Sequence, residues 1–161
     1  MSAALRLRPT VADDMMLYFM WVNDPAVRAG AFQSAAIPLA THRAWFARAL
    51  ADENVWMRVL VAEGVPVGQV RLTFAEASAV TAGQRAAREA LIDYSVAAAA
   101  RGHGYGCAML ALVEQELPAG TMLVGQVKEE NSASRRTFLA LGYQERRAEN
   151  GTFWEYRKHI V

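Results

Sequence analysis

The sequence predicts a mixed α/β domain: one sheet with helices on both of its faces. Two observations predict it. Runs with a two-residue alternation, such as Leu5-Arg6-Leu7-Arg8 and Val67 to Phe74, read as strands, while Cys107 to Leu117 carries an apolar stripe at helical spacing. In the C-terminal half the two types alternate as strand, helix, strand, helix and a closing hairpin, after an N-terminal half of strand, two helices and a β-meander.

Each element has its own justification. Leu5 to Arg8 alternates as a half-buried strand does. Thr10 is placed to cap a helix carrying Met15, Met16, Phe19 and Met20, with Asp13 in its first turn, and Pro25 stops that helix after Asn23-Asp24. A second helix is expected from Thr41, burying Trp45 and Ala49. Val55 to Ala62 reads as a strand, Glu63-Gly64-Val65-Pro66 as a turn, and Val67 to Phe74 as the next strand. That strand puts Val70, Leu72 and Phe74 on one face and Gln69, Arg71 and Thr73 on the other. Ala75 to Arg88 is alanine-rich without a period and reads as a surface connection. Glu89 to Val96 is a strand. Cys107 to Leu117 is a helix with Leu110, Val113 and Leu117 on one stripe, Met122 to Lys128 a strand, and Ser132 to Leu141 a helix closed by Gly142. Tyr143 to Arg147 and Phe153 to Lys158 flank an Asn150-Gly151 turn, a hairpin signal. The total is about seven strands and about four helices. No repeat or linker divides the chain, so residues 1–161 are expected to form a single domain.

Composition narrows the function. The hydrophobic share is 53%, the charged share 20% and the formal net charge +1, which fits a globular protein and argues against a dedicated nucleic-acid binder. The longest apolar run, Met15 to Val22, is far short of a membrane span, and Met1-Ser2-Ala3-Ala4 does not resemble a signal peptide. With a single cysteine, Cys107, no internal disulfide can form, and a cytoplasmic location is expected. His42, His103 and His159 are scattered and no metal-ligand spacing occurs, so no metal is expected.

The chemistry-bearing feature is Arg101-Gly102-His103-Gly104-Tyr105-Gly106, between a strand and a helix. Glycines let the backbone bend and let a ligand approach closely, and the helix that follows offers unpaired amides to an anion. The dinucleotide pattern G-x-G-x-x-G fails in both frames, because Cys107 or Met109 falls at its last position, and the triphosphate loop is absent. A tight turn without a ligand is the plainer alternative. The pattern present is R-x-x-G-x-G.

This turn resembles the coenzyme A pyrophosphate loop of the GNAT superfamily of acyl-CoA-dependent N-acetyltransferases. The likeness extends to Asn131, Ser134 and Phe138-Leu139-Ala140-Leu141-Gly142-Tyr143, which resemble the family's second signature, and to the element order over nearly the whole chain. The resemblance implies a GNAT-like sheet whose two central strands splay apart, with acetyl-CoA as donor. It implies that Ser95 and Val96 offer backbone to the pantetheine arm. It further implies that Arg101, Gly102, His103, Gly104, Tyr105, Gly106 and Cys107 wrap the pyrophosphate, and that Asn131, Ser134 and Arg135 line the cofactor. A narrower resemblance lies in Trp21 to Arg28, His42 to Phe46 and Val67 to Arg71, blocks similar to N-acetyltransferases acting on UDP-linked amino-sugars in nonulosonate biosynthesis. It implies a small-molecule amine acceptor, with Arg28, Gln69 and Arg71 as contacts for acceptor phosphates. A monomer or homodimer is expected.

Transfer to an amine needs a neutral amine, a polarised thioester carbonyl and an outlet for the thiolate. Two positions where such enzymes often carry the acid and the base hold Phe138 and Gln126, neither of which exchanges a proton at neutral pH. His42 and Asp93 are therefore the expected bases, with Gln126 holding water or substrate; Glu129, Glu130, Tyr94 and Tyr105 are further candidates. The resemblance thus implies direct acetyl transfer from acetyl-CoA to a primary amine of an amino-sugar nucleotide. A protein N-terminal or ribosomal-protein acetyltransferase and a catalytically silent acyl-CoA-binding module are the rivals.

Overall fold

A computed structural model describes residues 4–75 and 88–161. Seven strands form one sheet in the order β1-β2-β3-β4-β5-β7-β6. They are β1 Leu5–Pro9, β2 Val55–Ala62, β3 Val65–Phe74, β4 Glu89–Val96, β5 Met122–Val127, β6 Gln144–Arg147 and β7 Trp154–His159. Neighbouring strands are antiparallel except β4 and β5, which are parallel. The helices are α1 Met15–Val22, α2 Pro25–Gly30, α3 Leu39–Ala51, α4 Tyr105–Glu116 and α5 Ser132–Ala140. The mixed α/β architecture is the one expected; the connection anticipated at Ala75 to Arg88 falls largely on residues 76–87, outside the described residues.

Three local expectations are corrected. Pro25 does not merely stop a helix: it opens α2. Its missing N–H costs nothing in a first turn, and the Asp24 carboxylate caps that turn by accepting from Ala26 N (3.0 Å) and Val27 N (3.3 Å). The described residues therefore hold five α-helices where four were expected. Thr10 does not cap α1; its hydroxyl bonds to Tyr18 Oη (2.8 Å), and the chain turns on Asp14, which accepts from Val11 N (2.8 Å). The buried stripe of α3 is His42, Phe46 and Ala49, leaving Trp45 half-buried.

The sheet is buried on both faces, and β2 shows why. Its Leu60 and Ala62 point into a core under α4 and α5 with Val70, Leu72, Ile92, Leu110, Leu123, Phe138 and Tyr156. The alternate residues Met57, Val59 and Val61 point into a second core with Tyr18 and Phe46 of α1 and α3. Glu63 and Gly64, both at positive φ (50° and 82°), make the tight two-residue link of the β2–β3 hairpin. At the far end, α5 closes as expected on Gly142 (φ 84°). Tyr143 N donates to Phe138 O (3.1 Å) and Gly142 N to Leu139 O (3.1 Å), while the Tyr143 ring packs edge-on against Phe138.

One feature of the sheet makes the site. β4 and β5 pair only from Glu89–Ile92 against Met122–Gly125. Beyond that point β4 stays with β3 up to Val96, and β5 stays with β7 up to Val127. The two central strands therefore splay into a V whose apex is Ile92 beside Gly125.

The N-terminal junction carries a pH dependence. Asp14 accepts two bonds from the Arg8 guanidinium (2.8 and 2.9 Å), which hold its carboxyl below the ordinary carboxylate value. Burial lowers the affinity of His42 for a proton in the same direction. Both groups bind protons more weakly folded than unfolded, so both stabilise the fold above their unfolded values and cease to do so as pH falls. Stability should decline below about pH 6.5 through His42, and decline again below about pH 4 through Asp14. In Asp14→Asn the second decline should be missing from a series of urea midpoints across pH. An unchanged acid limb in that variant would remove Asp14 from this role.

Candidate active site

The V opens into a cleft of about 520 Å³ that crosses the sheet. That lies within the ordinary range for a small-molecule site. Strand alternation decides which backbone faces it. Ala97 N donates to Val67 O (2.8 Å), and the Ser95 carbonyl lies against Gly68, so the odd-numbered residues of β4 turn their backbone to β3. Tyr94 and Val96 turn theirs to the gap. This corrects the expectation for Ser95, whose backbone is engaged with β3 and whose buried hydroxyl accepts from Gln69 Nε2 (3.2 Å).

On the α4 and α5 side of the sheet, the cleft is walled by the glycine turn. Gly102 and Gly104 take positive φ (82° and 75°), and among the described residues no side chain caps the first amides of α4. Those amides are a place for an anion. Gly104, Tyr105, Gly106 and Cys107 all line the cleft. A Cβ on Gly106 would meet Tyr94 Cε2 at 3.4 Å, so the turn packs directly on β4. His103 turns aside: its Nδ1 donates toward Ala100 O and Arg101 O (3.0 Å each) and its ring stacks on Tyr105. Arg101 lines the cleft, but its guanidinium bonds to Asp24 Oδ1 (2.9 Å), tying the turn to the start of α2. Asn131 caps α5 by accepting from Ser134 N (3.3 Å). The Ser134 hydroxyl lies 2.9 Å from Tyr94 Oη. Arg135 does not reach the cleft. It donates to Tyr156 Oη (3.1 Å), pairs with Glu145 (3.5 Å) and lies over Trp154, so it is a structural residue.

On the opposite side lie α1, α2 and α3. Asp93 projects from β4 here, with 58% of its side chain open to solvent. Its Oδ1 accepts from Gln69 Nε2 (3.3 Å) and its Oδ2 is 3.9 Å from Arg71, whose guanidinium lies over Trp45. Gln126 lines the same cleft across the gap from Asp93. Tyr18, Trp21 and Trp45 supply aromatic wall. Two side chains here are engaged by their surroundings. Arg28 lines the cleft, but its Nε donates to Val22 O (2.7 Å) and its Nη1 to the carbonyls of Gln33 (3.0 Å) and Ala35 (3.4 Å), which ties it to the loop before α3. His42 is 2% exposed, donates Nε2–H to Met15 O (3.1 Å) and packs among Phe19, Trp45 and Phe46. That is the setting of a core imidazole rather than a base.

The helix absent from the sequence-based expectation, α2, runs across the cleft. Its start is held by Arg101, while Lys128 donates to Ala29 O (3.2 Å) near its end. Gly30 lies so near Asn131 that a Cβ would meet Nδ2 at 3.2 Å.

The profile of an acetyltransferase (GNAT) domain matches residues 4–144. The chain belongs to the GNAT acetyltransferase family. No curated protein matches it. Among solved structures, this GNAT domain is similar to the aminoglycoside acetyltransferase AAC(6')-Ib in complex with coenzyme A, at 17% identity and TM-score 0.76, covering 97% of this chain and 95% of that one. It is similar also to an acetyltransferase from Thermus thermophilus, at 18% identity and TM-score 0.77, covering 98% and 97%. A third is yncA, a putative acetyltransferase from Salmonella typhimurium with its cofactor acetyl-CoA, at 18% identity and TM-score 0.68, covering 98% and 95%. At these identities the likeness is one of fold. As a GNAT domain the protein is an acyl-CoA-dependent N-acetyltransferase with acetyl-CoA as donor, and the cleft fits that donor. Among the described residues it combines a strand edge without a partner, which can bond an amide-bearing arm, with uncapped helix amides behind a glycine turn for the pyrophosphate.

Proposed function

We propose that the protein acetylates a primary amine of an amino-sugar nucleotide, with the donor on the α4 and α5 side of the V and the acceptor on the α1 to α3 side. The observation that carries the reading is the acceptor wall: one solvent-open carboxylate, Asp93, beside one cation, Arg71, stacked on Trp45, with Tyr18 and Trp21 nearby. Aromatic faces suit a sugar ring, the carboxylate suits its amine, and the guanidinium suits a phosphate.

The roles follow from placement. The uncapped amides of Tyr105 to Cys107, behind Gly102 and Gly104, hold the pyrophosphate. The gap-facing backbone of Tyr94 and Val96 bonds the pantetheine arm and polarises the thioester carbonyl. Asp93 takes the ammonium proton, directly or through one water, and Gln69 holds the carboxylate in place. The amine nitrogen then attacks the carbonyl carbon, and the acetyl group passes to it without a covalent enzyme intermediate. Gln126 faces the same space and holds water or acceptor by hydrogen bonding.

Thiol release from acetyl-CoA over an amine panel tests this. The panel comprises UDP-linked amino-sugars, the corresponding free amino-sugars, an aminoglycoside and a peptide with a free N-terminus. Turnover should be highest with the nucleotide-linked sugars, and Arg71→Gln should raise their KM by about tenfold while leaving that of the free sugars nearly unchanged. Preference for the peptide, or for the aminoglycoside, would replace the acceptor assignment. Tight coenzyme A binding without turnover of any amine would make this a silent binding module.

A further inference from the structure

Phe138 leaves the departing sulfur without a hydrogen-bond donor on the inner turn of α5, but the same wall of the cleft carries one elsewhere. Tyr94 sits on β4, two residues beyond the apex of the V. Its backbone faces the gap, its ring stands edge-on to Phe138 (5.9 Å, 82°), and its hydroxyl reaches across to Ser134 Oγ at 2.9 Å, with Thr137 nearby on α5. Tyr94, Ser134, Thr137 and Phe138 all line the cleft. Gly106 in the first turn of α4 packs on the Tyr94 ring and Ser134 in the first turn of α5 meets its hydroxyl, and helix starts favour negative charge. Cys107 of α4 and Tyr143 beyond α5 are the titratable groups whose fields reach the Tyr94 hydroxyl. Burial raises the Tyr94 phenol above its ordinary value, so it keeps its proton at neutral pH.

We infer that the Ser134 hydroxyl, oriented by Tyr94, donates a hydrogen bond to the sulfur of coenzyme A and stabilises the thiolate when the acetyl group leaves. In that step the carbon–sulfur bond breaks and its electron pair stays on sulfur. Ser134 and Tyr94 keep their protons, and the thiolate takes its proton from water in the cleft. The proton removed from the amine balances the one delivered. Ser134 is the catalytic residue in this pair, and Tyr94 is the positioning residue behind it. This inference rests on the cleft being the donor site, but not on which amine is the acceptor.

Its test therefore needs no acceptor. The thiol of coenzyme A bound to the full chain is titrated by its ultraviolet thiolate absorbance, with the desulfo-coenzyme A complex as reference to subtract Cys107. A hydroxyl that donates to sulfur stabilises the thiolate, so the bound thiol should titrate below the free value of about 8.5. Tyr94→Phe keeps the ring packed against Phe138 and should move that titration up by about one pH unit, and Ser134→Ala should move it at least as far. A purely structural tyrosine would change the affinity for coenzyme A and leave the thiol titration where it was. Identical titrations in the wild type and Tyr94→Phe, or a wild-type thiol titrating no lower than free coenzyme A, would overturn the inference. Failure of the amine panel would not alter either result.

Discussion

Gly125→Ala is expected to destabilise the domain by about 3 kcal/mol, toward the upper end of what overpacking a core costs. Gly125 is the last residue of β5 paired to β4, and the Phe138 ring lies directly over it. A Cβ there would overlap that ring, with Cε2 and Cε1 at 2.8 and 2.9 Å. The ring has no room to retreat. It stacks on Tyr156 (5.2 Å, 11°) and meets Tyr143 (4.9 Å) and Tyr94 edge-on. Either β5 shifts away from α5 or α5 lifts, and both movements deform the apex of the V. Urea denaturation reads the effect as a fall in midpoint. Adding Phe138→Leu should restore part of the loss, because the two positions are coupled through one contact. A single variant as stable as the wild type would mean that α5 is not seated on β5 in this way.

Asp93→Asn is expected to lower kcat/KM by about 10²- to 10⁴-fold, the range in which a positioned base contributes. Coenzyme A should bind as before, because Asp93 projects from the opposite face of β4 to the glycine turn. The shape of the rate against pH is the sharper readout. The variant depends on amine already neutral in solution, so its rate should keep rising with pH where the wild-type rate levels off. Asparagine can still accept from Gln69 Nε2, so the local hydrogen bonding survives the change. A variant with the wild-type profile would return the base to Glu129, Glu130 or solvent. Of those two glutamates, Glu129 is bound to Arg147 (3.0 Å), which holds its carboxyl below the ordinary value.

The signals of the proposed donor half are local. Gly102 and Gly104 need no distant partner to take positive φ, and α4 follows at once in the chain, so a hexapeptide describes most of the cradle. Asn131 likewise caps the helix it precedes. The strand pattern of β3 was equally local: Gln69 and Arg71 do share a face, and that face does hold Asp93.

The signals of the proposed acceptor half are less local, because its residues make contacts far apart in sequence. Arg28 was expected at the acceptor phosphates and Arg135 at the cofactor, yet each donates to partners that the chain's return path brings in: backbone carbonyls of the loop before α3 for one, Tyr156 and Glu145 for the other. His42 opens a helix that could have faced water; packing of α3 on β2 and α1 turned it inward. No composition or spacing separates a proline that ends one helix from a proline that starts the next, and the capping carboxylate of Asp24 decided for α2.

Alternation, helical stripes and glycine positions, taken from the sequence by itself, determined a mixed sheet with helices on both faces and a phosphate-ready turn at Arg101 to Gly106. These are properties of neighbouring residues, governed by backbone sterics and by which side chains share a face. Only the tertiary structure decided where β4 and β5 part, that Tyr94 and Val96 rather than Ser95 face the gap, and that α2 crosses it from Arg101 to Lys128. The reason is that each depends on register and on partners dozens of residues away. Strand pairing, burial and competition for each guanidinium are settled there by the whole molecule rather than by any one segment.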